Sequence, residues 1–83
     1  MAPSAVRNSF EALSILSLKI SSNELIATIS DGRMISIPIA WFSRLANAPI
    51  EKLRNFEISP SGYGIHWPEL DEDISIRSFL NPE

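Results

Sequence analysis

His66 stands five residues before an unbroken acidic run, Asp71-Glu72-Asp73. One imidazole and three carboxylates are the side chains that hold a divalent cation, or that serve as general base and general acid. The spacing argues against both. Pro68 lies between His66 and Asp71, and no calcium-loop pattern with a central Gly is present. His66 also sits between Ile65 and Trp67 in a run of strand character, so its ring points away from theirs. The reading that follows is a polar residue on an open sheet face, with the carboxylates capping the next turn. No metal and no cofactor is expected.

Other chemistries find less support. Serines are plentiful, but none sits in a Gly-flanked elbow, and one His is the only imidazole base. Gly32, Gly62 and Gly64 are the only glycines, too few for a phosphate cradle at a helix start. Arg44, Lys52 and Arg54, with Trp41 and Trp67, could contact single-stranded nucleic acid through cations and stacked rings. Both Trp residues lie in apolar runs and read as core, which leaves the three cations as an ordinary solvated face. The remaining candidate is a partner-binding surface. Tyr63 and Trp67 would be its anchor aromatics, with His66, Glu69, Asp71, Glu72 and Asp73 around them. The competing reading is that both rings simply close the core. On these grounds the chain is expected not to be an enzyme.

Composition narrows the classes further. The chain has 83 residues, no Cys and a formal net charge of −3. That is one domain, without disulfides, thiolate catalysis or a Cys-based metal site. Residues 69–83 hold five acids against Arg77 alone, a net −4, which leaves +1 for the rest. Attraction to a nucleic-acid backbone usually needs a clear basic excess, and an acidic end suits a basic protein partner instead. No stretch approaches the roughly 20 apolar residues of a membrane helix. The start shows no secretory-signal pattern, so a cytoplasmic protein is expected.

The elements that must position these residues follow from period and punctuation. Residues 1–12, with mixed polarity and Pro3, read as a flexible lead-in to a single domain over 13–83. Leu16, Leu18 and Ile20 alternate with Ser17 and Lys19, the period of a strand. Leu25 to Ser30 is a second strand, and Asp31-Gly32 predicts a tight primed turn into a third over Arg33–Ile39. There Ile35, Ile37 and Ile39 share a face, and Pro38 marks the end of the ladder or an edge. Trp41, Phe42, Leu45, Ala46 and Ala48 predict a short helix with a broad apolar face. Pro49 opens a second helix with Ile50, Leu53 and Phe56 as its stripe, and Asn47 as an outside cap. Glu57–Ser59 and Ile65–Trp67 are short strands around a Pro60–Gly64 turn. Ile74–Leu80 is a strand running into one helical turn capped by Ser75. The order predicts an α+β domain: a small, mostly antiparallel, hairpin-rich sheet with two short helices on one face.

Three phrases then carry a resemblance over about Leu18 to Leu80. They are Asp31-Gly32-Arg33; Ile37-Pro38-Ile39-Ala40-Trp41-Phe42-Ser43-Arg44-Leu45-Ala46; and Gly64 through Ser75, reading GIHWPELDEDIS. Together they resemble the bacterial family called domain of unknown function 2442. The resemblance implies a small α+β fold with antiparallel strands, and it brings no known activity or catalytic residues. Similar proteins are often encoded beside a member of another uncharacterised family, domain of unknown function 4160, in an arrangement that looks like toxin and antitoxin. It therefore implies a protein-interaction module, antitoxin-like, with a small, basic partner encoded nearby. The alternative is a nucleic-acid-binding or transcription-regulatory accessory domain. Some relatives carry a helix-turn-helix after this domain, which a chain ending at Glu83 is expected to lack. Homodimerisation through paired edge strands is a further expectation, which Pro38 and the short strands discourage. The chain departs from the family pattern at Ser43, where a Pro is common, at Ala48, where a capping Thr or Ser is expected, and at Asn81-Pro82 in place of a final Gly.

Overall fold

The structure is a computed structural model and describes residues 13–80. The expected lead-in over residues 1–12 and the Asn81-Pro82 end lie outside them. Three strands form the first antiparallel sheet in sequence order: β1 (Ile15–Ile20), β2 (Glu24–Ile29) and β3 (Met34–Pro38). Ser21 closes the first turn, its Oγ accepting the Glu24 amide at 3.1 Å. Ala27 pairs with Leu18 and Ile35, and Leu25 with Ile20 and Ile37, so these residues share the core face. Pro38 ends the ladder opposite Glu24 on an edge strand, where its missing amide costs nothing.

Leu16 departs from the expected alternation. Ile15 pairs with Ile29 and Ser17 with Thr28, so Leu16 is the extra residue of a β-bulge and stands 61% exposed. Ile15 takes the core place instead and is buried.

The hairpin at Asp31-Gly32 also differs from its expected geometry. Ile29 and Arg33 bond across the loop, with the Ile29 amide donating to the Arg33 carbonyl at 2.8 Å. Three residues, Ser30 to Gly32, therefore make the loop. Asp31 keeps a negative φ while Gly32 takes φ +100°, which fits a three-residue loop closed by a Gly bulge and not a primed two-residue turn. The Asp31 carboxylate accepts from the Arg33 amide at 3.1 Å and from its Nε at 2.8 Å. The bond from the Arg33 amide, helped by the guanidinium, holds the Asp31 carboxyl below its ordinary value of 3.8. A depressed folded value means this contribution is fully present above the ordinary carboxylate range and is lost as pH falls through the folded value. Asp31→Asn is expected to narrow the loss of melting temperature between about pH 6 and about pH 3. Thermal melts of both proteins at the two pH values check this. An unchanged gap would refute it.

After β3 the chain makes a 3-10 turn (Ile39–Trp41) and then α1 (Ser43–Ala46) and α2 (Ile50–Leu53). The expected first helix is thus split into two short turns at Phe42, whose φ of −122° is extended. Two residues differ from expectation here. Trp41, expected in the core, is 52% exposed, and Ile50, expected on the apolar stripe, is 45% exposed. Leu45 and Leu53 supply the burial. Asn47 does not cap α2. It ends α1, donating from Nδ2 back to the Ser43 carbonyl at 3.0 Å. Pro49 precedes α2 with no side-chain cap bond, in line with Ala48 standing where a hydroxyl is common.

The second antiparallel sheet is β4 (Glu57–Ile58), β5 (Gly64–Trp67) and β6 (Glu72–Ser75), followed by α3 (Arg77–Leu80). Ser75 caps that last turn as expected, its Oγ accepting the Arg77 amide at 3.2 Å. The α+β class and the antiparallel hairpins stand, with the strands divided between two sheets. One apolar cluster joins them. It includes Ile15, Leu25 and Ile37 from the first sheet and Ile65, Trp67 and Ile74 from the second, with Leu45, Leu53 and Phe79 from the helices. Among the described residues no polar or charged side chain is buried.

Candidate functional site

Glu57, His66 and Asp73 lie abreast. Glu57 pairs with His66 across β4 and β5, and His66 with Asp73 across β5 and β6. Residues directly opposite share a face, with Cβ atoms about 5 Å apart. Ile65 and Trp67, on either side of His66, are buried, so this row points away from the core. His66 Nδ1 and Asp73 Oδ1 are 2.7 Å apart. An ionised carboxylate only accepts, so His66 Nδ1 carries a proton and donates to it. The two side chains are 43% and 76% exposed, and a pair so placed contributes at most about 1 kcal/mol.

A second row lies beside the first. Gly64 pairs with Ser75, and the Ser59 amide donates to the Gly64 carbonyl at 2.9 Å. Gly64 carries no side chain, which hollows the face between the two serines. The Ser59 Oγ is occupied locally, accepting the amides of Tyr63 at 3.0 Å and Gly64 at 3.2 Å. The result is a groove of about 500 Å³. Pro60 and Tyr63 add apolar lining and Glu57, His66 and Asp73 polar lining, and among the described residues no Lys or Arg lines it.

The acidic run does not act as a unit. Strand alternation and a turn send its members to three places. Asp71 sits in the β5–β6 turn with φ +52°. There the Arg44 guanidinium donates to its carbonyl oxygen and lies 3.7 Å from its carboxylate. Glu72 pairs with Trp67 and so points to the opposite face from Asp73. Only Asp73 reaches His66, and the carboxylates of Glu72 and Asp73 stand in a strand instead of capping a turn. Glu69 accepts a bond from Asn55 Nδ2 at 3.1 Å.

The aromatic candidates separate as well. Tyr63 is 45% exposed at the groove. Trp67 is fully buried, so it cannot anchor a partner directly. Its Nε1 donates to the Leu53 carbonyl at 2.8 Å, and its ring packs against Phe56 at 6.1 Å between centroids. Of the alternative cations, Lys52 and Arg54 are exposed on either side of buried Leu53, while Arg44 is held on Asp71.

Sequence reasoning missed Glu57. Its alternation relative to Ile58 was readable, but its place beside His66 depends on the register of a hairpin whose loop bonds are made by Ser59 and Gly62.

The model of a family described as protein of unknown function, DUF2442, matches residues 15–83. The chain belongs to that family. Two solved structures share its fold. One is a solution NMR structure of an uncharacterized protein from Chromobacterium violaceum, with a TM-score of 0.67 and 28% identity, covering 81% of this chain and 63% of that one. The present chain therefore spans less than two thirds of that protein. The other is a crystal structure of a protein of unknown function from Rhodospirillum rubrum, with a TM-score of 0.71 and 26% identity, covering 84% of this chain and 87% of that one. Among curated proteins, none matches. Among the described residues of this DUF2442 chain, no helix is long and apolar enough to cross a membrane.

Proposed function

We propose that this chain is a non-enzymatic protein-interaction module that docks a small basic protein on the open face of its second sheet. The observation that carries the reading is the groove itself: an exposed aromatic, two carboxylates and, among the described residues, no Lys or Arg in its lining. A basic partner would find both charge complementarity and an anchor there. The family resemblance supports the finer assignment, the antitoxin-like half of a two-gene pair acting in the cytoplasm.

An enzymatic reading of the His66–Asp73 pair lacks its other parts. Acyl transfer needs a nucleophile on the free ring nitrogen and donors for an oxyanion. The nearby Ser59 and Ser75 hydroxyl oxygens already accept backbone amides.

Recovering the tagged chain from its own host, followed by mass spectrometry, tests the reading. One stoichiometric small basic protein is expected with the wild type. Tyr63→Ala is expected to weaken that complex by about 2 kcal/mol, roughly thirtyfold, without changing the melting temperature. A chain that returns alone, or a partner indifferent to Tyr63, would overturn it.

One observation favours a second reading. Trp41 is 52% exposed just before α1, which carries Arg44. A nucleic-acid-binding or regulatory domain using Trp41, Arg44, Lys52 and Arg54 predicts salt-sensitive binding of a single-stranded oligonucleotide. An oligonucleotide titration at low salt with no response removes it.

A further inference from the structure

We infer that the groove of the second sheet recognises an arginine side chain presented by the protein partner; the inference rests on the interaction reading above. Three observations lead to it. The first is hydrogen-bonding character. Glu57 and Asp73 offer only acceptors when ionised, and they flank His66, whose Nδ1 donates to Asp73. The row across the three strands therefore presents two acceptor carboxylates, one on either side of the imidazole.

The second is that part of this capacity is unused. Among the described residues Glu57 has no side-chain partner, whereas Asp31, Glu69 and Asp71 each have one. The third is the setting. The row lines a concave groove of about 500 Å³ that Pro60 and Tyr63 also line. Among the described residues no Lys or Arg lines it to neutralise the two carboxylates.

A guanidinium is the complement of such a row. It carries five donors and no acceptor in a planar fork, and it packs flat against aromatic rings. Its apolar stem suits Pro60. A lysine ammonium has the charge but neither the fork nor the flat face. An acidic or acceptor-rich ligand would meet two carboxylates with no compensating cation.

The test is a two-dimensional proton–nitrogen NMR titration of the full chain with Nα-acetyl-arginine amide. The uncharged isostere Nα-acetyl-citrulline amide and Nα-acetyl-lysine amide are run beside it. The arginine compound is expected to shift the amides of residues 57, 63, 66 and 73 with a dissociation constant of about 1–10 mM, as suits a single side chain. Citrulline and lysine are expected to bind at least about fivefold more weakly. The double variant Glu57→Gln, Asp73→Asn changes only exposed side chains and is expected to lose at least about tenfold. No shift at about 50 mM, equal binding of citrulline or lysine, or an unchanged response in the double variant would overturn the inference.

Partner capture separates the two levels. If the wild type holds its protein partner and the double variant holds it equally well, the arginine site falls while the module stands. If the wild type holds no partner, the interaction reading falls, and the arginine titration still decides the site.

Discussion

Trp67→Ala is expected to remove a large share of the chain's stability at 25 °C. Trp67 is fully buried, and its indole bonds the Leu53 carbonyl, one of the last of α2, at 2.8 Å. Truncating a buried Trp costs about 3–5 kcal/mol through lost transfer energy and the cavity left behind. A chain of this size has a total stability on the order of 4–12 kcal/mol. The lost bond adds to the damage, because the Leu53 carbonyl at a helix end is then left without its partner. Trp67→Phe separates the two effects. It keeps most of the ring volume and loses the N–H, for an expected cost of about 1–3 kcal/mol. Urea unfolding followed by fluorescence and near-ultraviolet circular dichroism would rank wild type, Phe and Ala in that order. Trp67→Ala with near-native stability would refute the assignment of this ring as the joint between α2 and the second sheet. The site would share the loss, because β5 carries both Trp67 and His66.

Gly62→Ala is the second large effect. Gly62 is buried and takes φ +76°, and its carbonyl oxygen accepts from the Ile15 amide at 2.7 Å, a bond that ties β1 to the β4–β5 turn. A Cβ there would stand 2.5 Å from Ser14 Cβ and 3.1 Å from the Ile15 amide nitrogen and carbonyl oxygen. Two of those three atoms are backbone and yield only if β1 moves. The left-handed backbone costs an L-residue about 1–2 kcal/mol, and overpacking typically adds about 1–3 kcal/mol. The melting temperature is expected to fall by about 10–25 °C for a domain of this size. Gly32→Ala is the control. Gly32 also has a positive φ, +100°, but nothing lies within 4 Å of its Cβ direction. Its cost is the backbone part alone, so equal losses at the two sites in thermal melts would refute the steric argument. Tyr63 follows Gly62 directly, so movement here also displaces the exposed ring that lines the groove.

Much of the fold was legible because strands and turns write local patterns. Ile35, Ile37 and Ile39 at period two, Pro38 at a ladder end, and Ser75 before a helical turn each reflect chemistry within a few residues. His66 facing outward was legible for the same reason. The misreadings share one cause. Leu16 is extruded by a bulge that exists only because β1 must pair with β2, and no period reveals it. The extended Phe42 breaks the expected first helix, so Trp41 leaves the apolar face that a continuous helix would have given it.

By itself the sequence determined the α+β class, the hairpins, the absence of thiol chemistry and the outward direction of His66. Side-chain alternation, turn chemistry and composition are short-range properties, and a single chain states them directly. Only the tertiary structure decided that the strands form two sheets, that Asp73 and not Asp71 or Glu72 meets His66, and that Glu57 completes the row. It also decided that Trp67 belongs to the core while Tyr63 remains available. Those outcomes depend on register, and a one-residue change of register exchanges the two faces of a strand. Register here is set by loop hydrogen bonds and by the packing of one sheet against the other, which join residues far apart in the chain.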